Sequence, residues 1–256
     1  MAKSKKSYSL NDSKKPKEAL EKYYRAIVAM HKKDHTDLDN IFDVAVDNKA
    51  FPNIQVTGEK TEPVYIEHWT EGYESATDNP PSGRTATPKT ACSDPALKLI
   101  VQTAKCITDE EAAIAESHHN LFMSAENIQG NLLEQYIAKH IHPYGFIWCN
   151  GNTVRAVDFC NDDGTVLLQI KNKSNSENSS SSNIREGTTI IKWYRLGTQR
   201  KNGKTLPKFR WEILNDIINT HKTKGFDLPP CNMSEEEYEN FLLEVARNNP
   251  DIISDL

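Results

Sequence analysis

The sequence predicts an α/β fold in which a central mixed sheet carries helices on both faces. Three observations lead to this prediction. A long helical pattern covers residues 109–140, three short runs of β type follow between residues 146 and 171, and helical patterns return from residue 211. We expect further helical regions at both termini. The predicted order in the core is therefore helix, strand, strand, strand, then a polar loop and a basic segment.

The length and composition are those of an ordinary globular protein. A chain of 256 residues can bury a core as one domain, with or without an attached subdomain. We expect a mostly helical N-terminal region (1–107), a catalytic core (108–215) and a C-terminal helical segment (216–256). The basic N-terminus has no apolar stretch typical of a secretory signal, and no apolar run could cross a bilayer. The five cysteines form no Cys-x-x-Cys pair, so we expect a reducing cytoplasm.

The N-terminal third contains one clear helical signal. Residues 16–33 place apolar side chains at helical spacing behind a proline that suits a first turn. Residues 51–70 include two fragments of β type, FPNIQVTG and PVYIEHW, and the composition of residues 74–95 indicates a long exposed loop. The sequence assigns no role to residues 1–90.

Helical signals dominate the segment before the β runs. A helix is predicted at residues 95–106, and Thr108 and Glu111 form a capping-box pattern that opens the long helix. Gly130 inside this helix indicates either a break or a close approach of another part of the backbone. Glu134 lies four residues further along, on the same helical face.

The periodicity changes at residue 146. The runs FIWC, TVRAVDFC and TVLLQIK are of β type and are separated by Asn-Gly and Asn-Asp-Asp-Gly turn signals. The segment TTIIKWYRL (188–196) fits either a strand or a helix, and we favour a helix. Further helices are predicted at residues 211–219 and 234–247.

Residues that could carry chemistry end two of these β runs. Asp158 ends one run, and Gln169 and Lys171 follow eleven and thirteen residues later at the end of the next. Because side chains alternate along a strand, Gln169 and Lys171 share a face. If residues 161–164 form a four-residue loop, Asp158 pairs with Leu167 and joins that face. A three-residue loop would place Asp158 on the opposite face and break the site.

These residue types suit the hydrolysis of a phosphodiester. A carboxylate binds a hard cation such as Mg²⁺, which takes few protein ligands. The cation neutralises the phosphate and lowers the pKa of a bound water, and a lysine can orient that water and stabilise charge in the transition state. Gln169 offers a carbonyl oxygen but no charge. We therefore expect a further carboxylate from the preceding helix, and we favour Glu134.

Basic residues are concentrated in one strip although the net charge is −5. Residues 192–210 contain seven basic residues and no acidic one. Such a strip indicates a polyanionic partner, and a solvated loop of lysines explains the charge run equally well. The polar run before it suits hydrogen bonds to phosphates and base edges. The predicted DNA contacts are Lys173, Asn175, Asn178, Ser180, Ser181, Ser182, Arg185, Lys192, Arg195, Arg200, Lys201 and Lys204.

Three elements together resemble the PD-(D/E)xK nuclease superfamily: Gly130-x-x-x-Glu134, Asp158 and Gln169-x-Lys171. Val157 stands where the superfamily name has proline, and Gln169 stands where most members have an acid. More narrowly, residues 125–193, which end in QIKNKSNSENSSSSNIREGTTIIKW, are similar to SinI-type type II restriction endonucleases. This resemblance covers about the middle third of the chain.

The resemblance implies a restriction-endonuclease-like sheet and Mg²⁺-dependent cleavage of double-stranded DNA. Members of the family cut short, GC-rich, near-palindromic sites of the form GG(A/T)CC. The implied metal ligands are Glu134, Asp158, Gln169 and Ile170, with Lys171 assisting the water. A near-palindromic target implies a two-fold homodimer, and a cognate DNA methyltransferase is the implied genetic partner.

Two other functions remain open at this point. A structure-specific nuclease of repair or recombination would share the site but would lack the sequence-reading loop. A DNA-binding module that has lost catalysis is the alternative from another class, and the missing acid at Gln169 favours it.

Overall fold

The computed structural model describes residues 5–57, 59–85, 93–173 and 189–253. The helices are α1 (Lys17–Val28), α2 (Thr36–Asp47), α3 (Glu62–Asp78), α4 (Pro95–Lys105), α5 (Asp109–Ile141), α6 (Trp211–His221) and α7 (Glu235–Asn248). The strands are β1 (Lys5–Tyr8), β2 (Ile54–Thr57), β3 (Phe146–Trp148), β4 (Phe159–Asn161), β5 (Leu167–Lys173), β6 (Ile191–Lys201) and β7 (Lys204–Phe209). Within these ranges, no helix has both the length and the apolar character needed to cross a bilayer.

A five-stranded mixed sheet forms the centre of the fold. Its order is β3-β4-β5-β6-β7. Strands β5 and β6 run parallel, and the other neighbouring pairs run antiparallel. Strands β1 and β2 form a separate antiparallel pair. The prediction of an α/β fold with a mixed central sheet is confirmed.

Residues 191–196 belong to a strand, and the preference for a helix at 188–196 was wrong. In β6 the buried residues Trp193 and Arg195 alternate with more exposed neighbours, which is the period of a strand. Asn202 and Gly203 have φ values of 52° and 73°, and a type I′ hairpin turn requires positive φ at both positions. This turn and the pairing with β5 outweigh the weak helical pattern.

The fragment PVYIEHW is helical and lies in α3, so its assignment to β structure was wrong. A proline occupies the first turn of α3, where it is compatible with a helix. Tyr65, Ile66 and Trp69 are all buried and lie on one helical face. The packing of this helical face outweighs the local preference of the fragment for β structure.

Helices α4 and α5 begin where the sequence predicts. Thr108 Oγ1 accepts a hydrogen bond from Glu111 N at 3.2 Å, and Glu111 Oε2 accepts one from Thr108 N at 2.8 Å. The capping box is therefore formed. Gly130 does not break α5, and a Cβ placed there would meet no described atom within 4 Å. Neither reason expected for this glycine is found in the part of the chain that the structure describes.

The segment before β4 is irregular, although the sequence predicts a strand from residue 153. Arg155 N donates to Ala50 O at 2.6 Å, and Trp69 Nε1 donates to Thr153 O at 2.9 Å. Ala156 has a φ of 61°, which is outside the extended region. These contacts bind the segment to the N-terminal helical region, and the strand begins only at Phe159.

One face of the sheet packs against the N-terminal helices. The register pairs Ile147 with Cys160 and Cys160 with Leu167, so these three residues share a face. They belong to one apolar core with Tyr24 of α1 and Phe42 of α2, whose rings stack at a centroid distance of 4.2 Å. The N-terminal region therefore covers the sheet face that carries Leu167.

The chain divides into two compact units: residues 1–79 with 137–235, and residues 80–136 with 236–256. In the second unit, Ile128 and Leu132 of α5 pack with Val245 of α7. The side-chain amide of Gln135 there accepts from Ser82 N and donates to Ser82 Oγ, each at 2.8 Å. The boundaries predicted near residues 107 and 215 stay a prediction.

Candidate active site

Asp158 directly precedes β4 and lies against β5. Asp158 N donates to Leu168 O at 2.8 Å, and Asp158 Oδ2 accepts from Ile170 N at 2.6 Å. Ile170, whose backbone N–H donates to this carboxylate, lies between Gln169 and Lys171 in the sequence. Residues predicted to act together are therefore joined through the backbone of one strand.

The register between β4 and β5 differs by two residues from the predicted one. Leu167 pairs with Cys160, whereas the predicted four-residue loop paired it with Asp158. The longer loop arises because Asn161 N donates to Val166 O at 3.1 Å and Asn161 Oδ1 accepts from Val166 N at 2.8 Å. A shift of two residues leaves each side chain on its predicted face.

Gln169 is a buried polar residue whose carbonyl oxygen is unsatisfied. The residue is 4 % exposed, and Oε1 has no hydrogen-bond partner among the residues that the structure describes. An unmade hydrogen bond of this kind costs about 1–3 kcal/mol. A hard divalent cation binds such an oxygen readily, together with a carboxylate. The donor set of Asp158 and Gln169 therefore fits Mg²⁺, and Ile170 can add only its main-chain carbonyl.

The electrostatics of Asp158 agree with this donor set. Burial raises the pKa of the Asp158 carboxyl, and this effect outweighs the hydrogen bond from Ile170 N and the charge of Lys171, which lower it. A carboxylate held in such surroundings is stabilised in its charged form by a nearby cation. Lys171, which is half-buried, supplies part of that positive charge.

Strand β6 adds two side chains to the same face. The parallel register places Lys192 beside Gln169 and Tyr194 beside Lys171, and paired residues share a face. Lys192 is exposed, as is Lys173 at the end of β5, so both predicted DNA contacts are accessible. Tyr194 was missed by sequence reasoning. The signal that finds it is the assignment of 191–196 to a strand parallel to β5.

The rest of the basic strip forms an exposed two-stranded ribbon, residues 198–209, which we call the basic ribbon. Every residue of β7 is exposed, and so are the last four residues of β6. The predicted DNA contacts Arg200, Lys201 and Lys204 all lie in it. A two-stranded ribbon is one of the elements that the major groove of B-DNA admits.

Arg195 points to the opposite face and is held by other side chains. It is 5 % exposed; its Nε donates to Asn172 Oδ1 at 2.8 Å, and its Nη1 donates to Glu235 Oε1. Glu235 Oε2 also accepts from Trp211 Nε1 at 2.7 Å. Removing one partner of a buried ion pair strongly destabilises the folded protein. These contacts favour a structural role for Arg195 over the predicted contact with DNA.

Every role predicted for a site residue stays a prediction, and seven of these residues lie in the second unit or outside the described residues. Glu134 lies on α5 in the second unit and is half-buried, and its role as a metal ligand stays a prediction. The other six come from the polar run between β5 and β6 and lie outside the described residues: Asn175, Asn178, Ser180, Ser181, Ser182 and Arg185.

The mixed sheet has this strand order, is flanked by helices and carries Asp158, Gln169 and Lys171 where β4 meets β5. These features are consistent with a restriction-endonuclease-like protein. The chain belongs to the SinI restriction endonuclease family, whose sequence profile matches residues 30–227. The type II restriction enzyme Eco47I of Escherichia coli is 40 % identical over 147 residues, which are 56 % of this chain and 64 % of that enzyme. The type II restriction enzyme SinI of Salmonella infantis is 44 % identical over 144 residues, 55 % of this chain and 62 % of that enzyme. Each match spans less than two thirds of the relative's length. The predicted resemblance to SinI-type enzymes is confirmed.

Proposed function

We propose that this protein is a type II restriction endonuclease that hydrolyses double-stranded DNA at a short, GC-rich, near-palindromic site with Mg²⁺. Membership of the family supports the nuclease class, and the two relatives bear the name of type II restriction enzymes. The observation that carries the chemical part is the buried, unsatisfied Oε1 of Gln169, the residue before Ile170, whose amide donates to the Asp158 carboxylate. The family resemblance supports GG(A/T)CC as the form of the site.

Asp158, Gln169 and Lys171 lie on one face of the sheet, which we call the catalytic face, and each has a distinct role in this proposal. Asp158 and Gln169 hold the Mg²⁺, with Ile170 and Glu134 as the remaining protein ligands. When bound there, the cation would supply positive charge to the phosphate and would lower the pKa of a bound water. Lys171 orients the attacking water and stabilises the negative charge that develops in the transition state.

Lys173, Lys192 and the basic ribbon hold the DNA in this proposal. Lysines bind phosphates without regard to sequence, whereas the polar run from Asn175 to Arg185 supplies contacts to base edges. A two-fold homodimer presents the same surfaces to both strands of a near-palindromic target. A cognate DNA methyltransferase is the proposed genetic partner. The cytoplasm is the proposed location, which the four free cysteines of the described residues support.

A digest of a sequenced plasmid tests the function. With Mg²⁺ we expect discrete fragments whose ends map to one short site, and with EDTA we expect none. Cleavage confined to branched junctions would favour a repair nuclease. A gel shift without cleavage would favour the non-catalytic module, and full cleavage in EDTA would exclude the metal mechanism.

Two substitutions test the residues of the site. Asp158→Ala removes the strand carboxylate, so both Mg²⁺ binding and cleavage should be lost. Lys171→Ala should leave DNA binding intact while the single-turnover cleavage rate falls by at least about 100-fold, as when a transition-state donor is removed. The matched control is Lys60→Ala, which removes an exposed lysine of the same unit. A folded Lys171→Ala protein that cuts at the wild-type rate would exclude this active site.

A further inference from the structure

The N-terminal helical region contains a second group of ligand-type side chains, separate from the residues of the catalytic face. His31 follows α1, His35 directly precedes α2, and Glu74 lies on α3. His31 Nδ1 lies 2.9 Å from Glu74 Oε1, and His35 Nε2 lies 2.8 Å from the same oxygen. The three ligand atoms lie within 4.8 Å of one another.

The group is buried enough to be a site with defined geometry. His35 is 8 % exposed, and the side chains of His31 and Glu74 are 19 % and 13 % exposed. The two imidazole rings meet edge to face at a centroid distance of 6.1 Å and an angle of 79°, so they approach Glu74 from different directions. The backbone at His35 is fixed because its carbonyl accepts from Asp39 N at 2.7 Å in the first turn of α2.

Two imidazole nitrogens and one carboxylate oxygen favour zinc over magnesium. Mg²⁺ prefers oxygen ligands alone, whereas Zn²⁺ binds histidine and carboxylate together, commonly with a water in the fourth position. Around a tetrahedral zinc, ligand atoms at about 2.0–2.1 Å from the metal lie about 3.3 Å apart. The two distances from Glu74 Oε1 to the histidine nitrogens, 2.9 and 2.8 Å, reach this value with small side-chain movements.

One neighbouring charge opposes a cation here. Lys33 Nζ lies 3.6 Å from Glu74 Oε2, but its shorter contact, 2.6 Å, is with Asp78 Oδ2. The Lys33 side chain is 41 % exposed and can follow Asp78 towards solvent. The oxygen nearest to Lys33 is Oε2, whereas both histidines meet Oε1, so the lysine does not occupy the position between the three ligands.

We propose that His31, His35 and Glu74 bind one Zn²⁺ per chain and that this metal fastens the connection between α1 and α2 to α3. The ligands come from two segments far apart in the sequence, so a metal bound only in the folded state stabilises the fold. The site differs from the Mg²⁺ site in residues and in ligand chemistry, and it does not depend on the proposed nuclease activity.

Zinc binding is tested on the full-length protein after removal of metals. Equilibrium dialysis against Zn²⁺ buffered by a chelator should show one tightly bound zinc per chain, and Zn²⁺ should raise Tm. His35→Gln and Glu74→Gln should each weaken zinc binding by at least about tenfold, because each removes one of three ligands. Circular dichroism verifies that both variants are folded.

The matched control is His68→Gln on α3. His68 Nδ1 meets Glu71 Oε2 at 3.2 Å in an exposed pair, so this variant also loses a histidine next to a glutamate but should bind zinc as the wild type does. Two results overturn the proposal: no zinc bound at micromolar free Zn²⁺, or undiminished zinc binding in Glu74→Gln. The second result would assign the metal to other groups, such as the thiols.

Discussion

Gln169→Met separates the stability of the fold from its proposed catalysis. In the wild type, Gln169 is buried and its Oε1 has no hydrogen-bond partner among the described residues. Methionine has a similar length and shape, no buried polar atom and enough flexibility to fill the same space. The variant therefore removes an unsatisfied group and a proposed metal ligand at once. We expect it to be more stable than the wild type in EDTA and inactive in Mg²⁺.

The size of the effect follows from the unsatisfied oxygen. Leaving a buried acceptor without a partner costs about 1–3 kcal/mol, and methionine avoids this cost. For a chain of this length, each kcal/mol shifts Tm by about 2–4 °C. The gain should appear only without metal, because in the proposed site Mg²⁺ would stabilise the wild type by binding to Gln169 and would have one ligand fewer in the variant.

Thermal unfolding in EDTA and in Mg²⁺ measures both effects, and plasmid cleavage measures the loss of activity. Gln135→Met is the matched control, and its change in stability should have the opposite sign. The amide of Gln135 both accepts a hydrogen bond from Ser82 and donates one to it. That variant should be destabilised by about 1–3 kcal/mol. A Gln169→Met protein less stable than the wild type in EDTA would show that Oε1 has a partner without metal and would refute the reasoning.

Three further predictions concern the basic ribbon and the sheet face opposite Gln169 and Lys171. This opposite face carries Trp193 and Arg195, and we call it the far face. Changing three ribbon lysines to glutamine should reduce the slope of log K against log[salt] for DNA binding by about 0.9 per phosphate contact. The same change at three exposed lysines elsewhere should leave this slope unchanged. The ribbon set is Lys201, Lys204 and Lys208, and the control set is Lys22, Lys60 and Lys105. Arg195→Met should lower the free energy of unfolding in urea by about 3–5 kcal/mol because it leaves Glu235 without its cation, and an unaltered urea midpoint would return Arg195 to the DNA contacts. Gly203→Val should strain the turn by about 1–2 kcal/mol, because its φ is 73°, and should weaken DNA binding in gel shifts; unchanged binding would exclude the ribbon from the interface.

The grouping of Asp158, Gln169 and Lys171 could be predicted because it depends on parity. The predicted register was wrong by two residues, since the side chain of Asn161 closes a longer loop than the turn signal indicates. A period-two pattern is unaffected by that error, whereas an error of one residue would have moved Asp158 to the other face. The position of a residue within the strand is predicted less securely than the face on which it lies.

The features that sequence reasoning missed depend on contacts between distant segments. Residues 191–196 become a strand because β5 lies beside them, and the helix at Tyr65 forms because its apolar face meets a core built from other elements. No local pattern indicates that Arg195 meets Glu235, which is forty residues away. Arg195 was predicted as a DNA contact from its place in the basic strip, and the packing around it distinguishes it from the exposed Lys192.

The two faces of β5 and β6 carry different sets of side chains, the proposed catalytic residues on one and packing residues on the other. Gln169 and Lys171 lie beside Lys192 and Tyr194 on one face, and the alternate residues lie on the other. There, Trp193 packs against Trp211 at a centroid distance of 5.1 Å, and its Nε1 donates to Arg210 O at 2.9 Å. A slip of one residue between the strands would place Trp193 on the face of Gln169 and Lys171 and break these contacts. The far face therefore fixes the register that holds Lys192 beside Gln169.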